Sequence, residues 1–376
     1  MIYFDNAATG GRKPDSVLSA FASAARVCAN PGRSGHKLSL ACAKTVLDCR
    51  KALDRYFDGY GFDRVVFTKN CTEALNVAIF GVLKKGDHVL VSCMEHNSVL
   101  RPLEVLRQAN IIDYDVLPLI GEPIGGDVEL DYNAIRKLLR QNTKMVIITA
   151  ASNVTGYMPD LEKIKAMLPK NVLLLVDGAQ GGGHFSIKMQ GAGIDLLALA
   201  GHKGLLGTQG CGALLFSENV DPNPILFGGT GSMSLSLDMP DFYPDRLEAG
   251  TLAFPAIVSL LEGVRYITSN DALMQKRIFL LTEYFIEQLR LMSNFNVYSK
   301  PNPCGIVAFA HKEIQSEYLA EILSEKHDIA IRGGLHCAPL MHKALHTADE
   351  GLARVSFSHF NSKKEIDKLI IALTEL

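Results

Sequence analysis

Two short apolar runs, each ending abruptly in a polar turn, constrain this chain more than any other feature. The first, Val172-Leu-Leu-Leu-Val176, is free of charge, and Asp177-Gly-Ala-Gln180 follows at once. The second, Ile194-Asp-Leu-Leu-Ala-Leu199, runs into Ala200-Gly-His202-Lys203. Apolar runs of that length bounded by turn signals read as strands buried on both faces, as in a parallel sheet. In open α/β sheets, ligands gather outside the carboxyl ends of such strands. An acid and an amine therefore stand at the exits of neighbouring strands.

That pairing has a specific chemical use. Pyridoxal phosphate (PLP) is held through its aldehyde by a lysine, and a carboxylate keeps its ring nitrogen protonated so that the ring serves as an electron sink. A carboxylate about 4 Å from a pyridinium gains roughly 4 kcal/mol at an effective dielectric of 20. A desolvated lysine beside a cation shifts toward its neutral, nucleophilic form. The plainer alternative makes Asp177 a helix cap and Lys203 a surface lysine.

From Arg64 onward, predicted strands at 65–67, 89–91, 111–117 and 145–149 alternate with helical stretches, which means a largely parallel sheet with crossover helices. Residues 15–29 and 40–57 also read as helices. Thr72, His96 and Asn153 each follow a predicted strand, as Asp177 and Lys203 do. Thr72 or Asn70 can cap a helix whose N-terminus also suits a phosphate, and a loop histidine such as His96 is commonly structural. Five suitable residue types at five strand exits nevertheless point to one site. A long helix at 257–291 leads to shorter strands at 305–310, 330–332 and 352–358 with two helices. The expected architecture is α/β, with a large domain over 15–262 and a smaller α+β unit made of 1–14 and 263–376.

In the smaller unit, Arg332-Gly-Gly-Leu-His-Cys337-Ala-Pro places a thiol in a glycine-containing loop beside Arg and His, a setting that activates thiols. Most free cysteines are small buried hydrophobes, and that reading serves the others. Arg354 at a strand start suits a carboxylate, although a solvated arginine is the alternative. With 376 residues and a net charge of −2, the chain gives no electrostatic reason to expect nucleic acid or a membrane. Its eight cysteines form no C-x-x-C, which argues against a disulfide framework or structural zinc and for a reducing, cytoplasmic setting. No metal site is expected.

Taken together, these residues resemble the class V, fold-type I PLP enzymes of the cysteine desulfurase and selenocysteine lyase family. The resemblance runs from Tyr3-Phe-Asp-Asn-Ala-Ala-Thr9 to Arg354-Val-Ser-Phe-Ser-His-Phe-Asn361. It passes through Thr72-Glu-Ala-Leu-Asn, Glu95-His96-Asn97, Ser152-Asn153-Val-Thr-Gly, Asp177-Gly-Ala-Gln180, Gly201-His202-Lys203, Glu248-Ala-Gly-Thr251 and the Cys337 segment. It implies that Lys203 forms the Schiff base, Asp177 meets the ring nitrogen, Gln180 the ring hydroxyl and His96 the ring face. Thr72, the N–H of Cys71 and His202 would hold the phosphate, joined by Thr251 from a second subunit, which implies a homodimer. Asn153 and Arg354 would bind the substrate carboxylate with help from the backbone at Ala7 and Ala8, while His36 and Arg332 stand on the substrate side. Cys337 would take sulfur from cysteine as a persulfide, releasing alanine, and selenocysteine would follow the same course.

Two positions depart from the family pattern. Ala200 stands where a serine hydroxyl is frequent, and Cys71-Thr72 replaces Gly-Thr or Thr-Thr. One lost neutral hydrogen bond costs about 1 kcal/mol, too little to abolish cofactor binding. The compact Cys337 segment resembles the family's second group, in which an acceptor protein takes up the sulfur. Two rivals remain open: a class V aminotransferase or β-lyase that does not use the thiol, and a non-catalytic sulfur carrier. A dinucleotide site at 178–183 fails on glycine spacing.

Overall fold

The computed structural model describes residues 1–376. Its central sheet has seven strands in the order 65–68, 212–216, 196–200, 173–177, 143–149, 87–92 and 112–117. All neighbours are parallel except 212–216, which runs antiparallel to both of its partners. A parallel return needs a crossover of a dozen or so residues, usually helical. The turn 201–211 is too short for one, so the chain doubles straight back after Lys203.

Side chains alternate across this sheet with the strand period of two. Val146, Ile148, Leu174, Val176, Leu197 and Leu199 pack into one apolar cluster, beneath the helices Lys37–Phe57 and Phe254–Arg290. Met145, Ile147, Leu173, Leu175, Leu196 and Ala198 pack into another, beneath Cys71–Val82 and Asn97–Gln108. The strands are thus buried on both faces, as their composition requires. Register places Thr149 opposite Asp177 and Asp177 opposite Ala198, so three strands end side by side.

The helix Phe254–Arg290 carries Pro255 in its first turn and serves two cores. Residues as far as Met274 pack on the sheet, and from Leu281 they join a separate cluster that includes Phe4, Phe309, Phe357 and Leu369. That cluster covers a three-stranded antiparallel sheet of 295–297, 306–311 and 353–356. The expected strand at 330–332 is shorter: Ile329–Ala330 pairs in parallel with Ile2–Tyr3, and Arg332 makes an isolated bridge to Arg354. Three helices follow the long one rather than two, Ser316–His327, Pro339–Ala344 and Lys363–Thr374. The extra one is a short turn started by a proline, whose fixed φ favours the first helical position. No helix is long and apolar enough to cross a membrane.

Candidate functional site

A pocket opens where strands 143–149, 173–177 and 196–200 end. Cys71, Thr72, His96, Asn153, Asp177, Gln180, His202 and Lys203 all line it, together with Asn70, Ser98, Thr149 and Ala200. The residues expected at separate strand exits are therefore neighbours.

Asp177 is 3% exposed. Its Oδ1 accepts from the Ala179 N–H at 2.9 Å and from the Cys71 thiol at 3.5 Å, while no group of the chain bonds Oδ2. Burial, and then the Asp177 charge, push the Cys71 thiol well above the usual range, so it stays protonated and donates. The side chain that replaces the usual glycine or threonine is thus tied to the acid. Burial pulls the Lys203 ammonium below the usual lysine range, Arg354 and Arg332 add to the shift, and Asp177 and Cys71 oppose it.

Glu95 is a functional neighbour that the sequence reading did not assign. It is fully buried, and its Oε1 accepts from the Ser92 hydroxyl at 2.5 Å and the Thr149 N–H at 2.7 Å. Its Oε2 has no partner. Burial raises this carboxyl well above the usual range, and Asp177 adds to the rise. Burial thus favours the neutral form of Glu95. The available signal was an acid placed immediately before His96 at a strand exit.

His96 caps a helix and also lines the pocket. As the N-cap of Asn97–Gln108, its Nδ1 accepts from the Ser98 N–H at 3.0 Å, while the ring lines the pocket. Burial lowers its pKa. Asn70, rather than Thr72, caps Cys71–Val82 by accepting from the Glu73 N–H at 2.9 Å. The first N–H groups of that helix have no intrahelical partner, and they face the pocket beside His202. Thr72 Oγ1 lies 2.8 Å from Ser98 Oγ.

Arg354 is 1% exposed and already engaged. Its Nη2 donates to Asp5 Oδ1 at 2.7 Å and its Nη1 to the Asn153 carbonyl at 2.8 Å, leaving Nε buried without a partner. The Ala7 N–H donates to Ser356 Oγ at 2.8 Å, and the Ala7 carbonyl accepts from Gln180 Nε2 at 2.9 Å. The Ala8 N–H donates to the Asp5 carbonyl at 3.1 Å. Both amides are therefore satisfied within the chain.

Cys337 is exposed on its loop. His336 and Cys337 have φ of 50° and 58°, a left-handed pair that non-glycine residues rarely adopt. The loop is fixed from two sides: Asn153 Nδ2 donates to the His336 carbonyl and the Asn97 N–H to the Cys337 carbonyl, each at 2.7 Å. Arg332 joins the site through its backbone pairing with Arg354.

Ala7, Ala8, Arg332, Cys337 and Arg354 are not among the lining residues, and two further expected residues, His36 and Thr251, lie elsewhere. His36 is exposed and caps Lys37–Phe57, its Nδ1 accepting from the Ser39 N–H at 3.2 Å. Thr251 lies in a separate groove with Phe67, Lys69 and Leu226.

The donor set suits a small aromatic aldehyde phosphate. A lysine shifted toward neutrality faces the aldehyde's chemistry, an unbonded carboxylate oxygen suits a pyridinium, and a helix N-terminus with a neutral histidine suits a phosphate.

The model of the class-V aminotransferase family matches residues 2–369. A probable cysteine desulfurase of Methanothermobacter thermautotrophicus is 32% identical over 359 residues, covering 93% of this chain and 88% of that protein. Another from Pyrococcus abyssi is 29% identical over 391 residues, covering 100% and 94%. Among solved structures, the apo cysteine desulfurase of Thermococcus onnurineus has a TM-score of 0.89 at 28% identity, covering 100% of this chain and 94% of that one. A cysteine desulfurase of Escherichia coli has a TM-score of 0.88 at 26% identity, covering 99% and 94%.

Proposed function

The chain belongs to the class-V aminotransferase family, and from that premise we propose that it is a PLP-dependent cysteine desulfurase, passing sulfur from L-cysteine to Cys337 and releasing L-alanine. The observation that carries this reading is an exposed thiol whose backbone carbonyl is bonded to Asn97, the residue beside the His96 wall. An aminotransferase or a β-lyase has no use for a thiol in that position.

In this proposal Lys203 holds the cofactor, Asp177 Oδ2 meets the ring nitrogen, Gln180 the hydroxyl and His96 the ring face. The N-terminus at Cys71 and Thr72 and the ring of His202 take the phosphate. When bound, PLP supplies the electron sink that makes the substrate's Cα proton acidic. Lys203 takes that proton, since burial and two arginines favour its neutral amine. The buried Arg354 Nε–H is the donor left for the substrate carboxylate, with Asn153 beside it. Arg332 and His36 stay on the substrate side of the proposal. The Cys337 thiol attacks the substrate sulfur; an S–S bond forms as the C–S bond breaks, the thiol's proton ends on the substrate Cβ, and Lys203 returns the Cα proton before alanine leaves.

A homodimer that brings Thr251 to the neighbouring phosphate belongs to this reading. It is supported by an apolar loop left in the open, with Phe227 75% exposed and Leu235 and Leu237 fully so. The division into 15–262 and 1–14 with 263–376 is supported by the separate cluster around Phe309. A cytoplasmic location and a sulfur-acceptor protein complete the proposal. The test is alanine formation from L-cysteine and from L-selenocysteine by wild type and Cys337→Ala. Loss of turnover on cysteine with the cofactor still bound is expected. Undiminished turnover would favour the aminotransferase or β-lyase.

A further inference from the structure

Residues 5–13 reach three parts of the pocket. Asp5 bonds Arg354 and Ala7 bonds Gln180, but the tightest grip is on His202. The His202 carbonyl accepts from the Gly10 N–H at 3.0 Å and from Lys13 Nζ at 2.7 Å. Its ring Nδ1 lies 2.9 Å from the Thr9 hydroxyl oxygen. Thr9 is itself held, its carbonyl accepting from the Tyr3 hydroxyl at 3.1 Å.

We propose that Thr9 is a positioning residue for the cofactor phosphate: its hydroxyl donates to Nδ1 of His202 and so keeps the ring proton on Nε2, where it can donate to an anion. The inference rests on the proposal above that His202 binds the phosphate of PLP. A neutral imidazole has one N–H and one bare nitrogen, and a hydroxyl that donates to the bare Nδ1 favours the form with its proton on Nε2. Here the ring is neutral, because burial, Lys203 and Lys13 together hold its pKa down to about 4. With the proton on Nδ1, a bare nitrogen lone pair would face the phosphate and repel it. The Thr9 hydroxyl has no other partner, so its hydrogen is available to Nδ1. The two bonds to the His202 carbonyl keep the residue from drifting out of reach. The clasp is also close: a Cβ on Gly10 would meet the His202 and Lys203 carbonyl oxygens at 3.3 Å.

The experiment titrates PLP and its phosphate-free counterpart pyridoxal into the cofactor-stripped full-length protein, using wild type, Thr9→Val and Thr9→Ser. Thr9→Val keeps the shape and removes the hydroxyl. It should weaken PLP about tenfold, the worth of one hydrogen bond to a charged group, and leave pyridoxal unchanged. Thr9→Ser should restore PLP binding. If Thr9→Val weakens both ligands equally, the residue only supports the fold and the proposal is wrong. It is wrong as well if neither affinity changes, or if Thr9→Ser fails to rescue. If wild type itself binds PLP no better than pyridoxal, the phosphate assignment falls, and the role of Thr9 falls with it.

Discussion

Replacing Glu248 by glutamine should cost the protein about 3 kcal/mol and loosen the loop that ends in Thr251. Glu248 and Arg50 have side chains only 6% and 7% exposed, and Arg50 Nη2 lies 2.6 Å from Glu248 Oε2. The other carboxylate oxygen accepts from the Phe67 N–H at 2.6 Å, and Arg50 also donates to the Val65 carbonyl. Its guanidinium lies 4.6 Å from the centroid of the Phe67 ring. Glutamine keeps the shape and an oxygen for Phe67, but it leaves the guanidinium buried without an anion. Removing one member of a buried pair costs about 3–5 kcal/mol. The lower end applies here because the Val65 carbonyl and the Phe67 ring remain. At about 2.1 cal/mol/K per residue, 376 residues unfold with roughly 0.8 kcal/mol/K, so Tm should fall by about 4 °C. Calorimetry on wild type, Glu248→Gln and the double variant Arg50→Met/Glu248→Leu measures this. The double variant should recover part of the loss, since no charge is left stranded. A Glu248→Gln cost below about 1 kcal/mol, or a double variant worse than the single one, would refute the reasoning. The loop matters because Arg33 also ties it down, donating to the Gly229 and Gly250 carbonyls at 2.9 and 2.7 Å.

Two further outcomes follow from the site and its surroundings. Borohydride reduction of the holoenzyme should fix one pyridoxyl group on the wild-type chain and none on Lys203→Ala, read by intact mass; full labelling of the variant would remove Lys203 from its role. His336 and His342 are buried with rings 5.8 Å apart, and burial pulls them down to about 2 and about 4. Unfolded histidine takes up its proton near pH 6.5 while these two stay neutral, so the unfolded state gains protons first and stability falls as pH drops. Between pH 6.5 and 5 each should contribute a loss of about 2 kcal/mol, visible as a lower urea midpoint; a midpoint that holds steady over that interval would contradict their burial as neutral rings.

The strand exits were legible because an apolar run ending in a single polar residue leaves little choice of where that residue points. Asp177 and Lys203 needed nothing more. The direction of the Cys71 side chain was not legible: a thiol at a helix start is equally free to face a phosphate or an acid, and only the packing of strand 173–177 decides for Asp177. Glu95 was named in its motif but given no role, because its complete burial is something no local pattern reports. Arg354 was expected to bind a carboxylate from its residue type, yet its Asp5 partner lies across the chain in sequence and could not be paired with it. The hairpin of Leu119–Glu122 and Asp127–Leu130 was likewise invisible, since neither short strand carries an apolar run. The short helix Pro339–Ala344 did carry a signal, the proline two residues after Cys337, but six residues are too few for a periodic pattern.

Because Asp5 is bound by Arg354 and Ala7 by Ser356, the order of synthesis and the order of assembly are opposed. Residues 5–13 can meet Gln180 and His202 midway through synthesis, but Asp5 and the Ala7 N–H wait for the strand 353–356. Contacts so distant in sequence carry the largest loop-closure cost and form late. The lysine turn and its sheet can be in place while the chain is still being made, whereas the Asp5–Arg354 pair forms only once the strand 353–356 is available. The contacts of Arg354 are therefore acquired late, in the same event that docks residues 5–7 onto the strand 353–356.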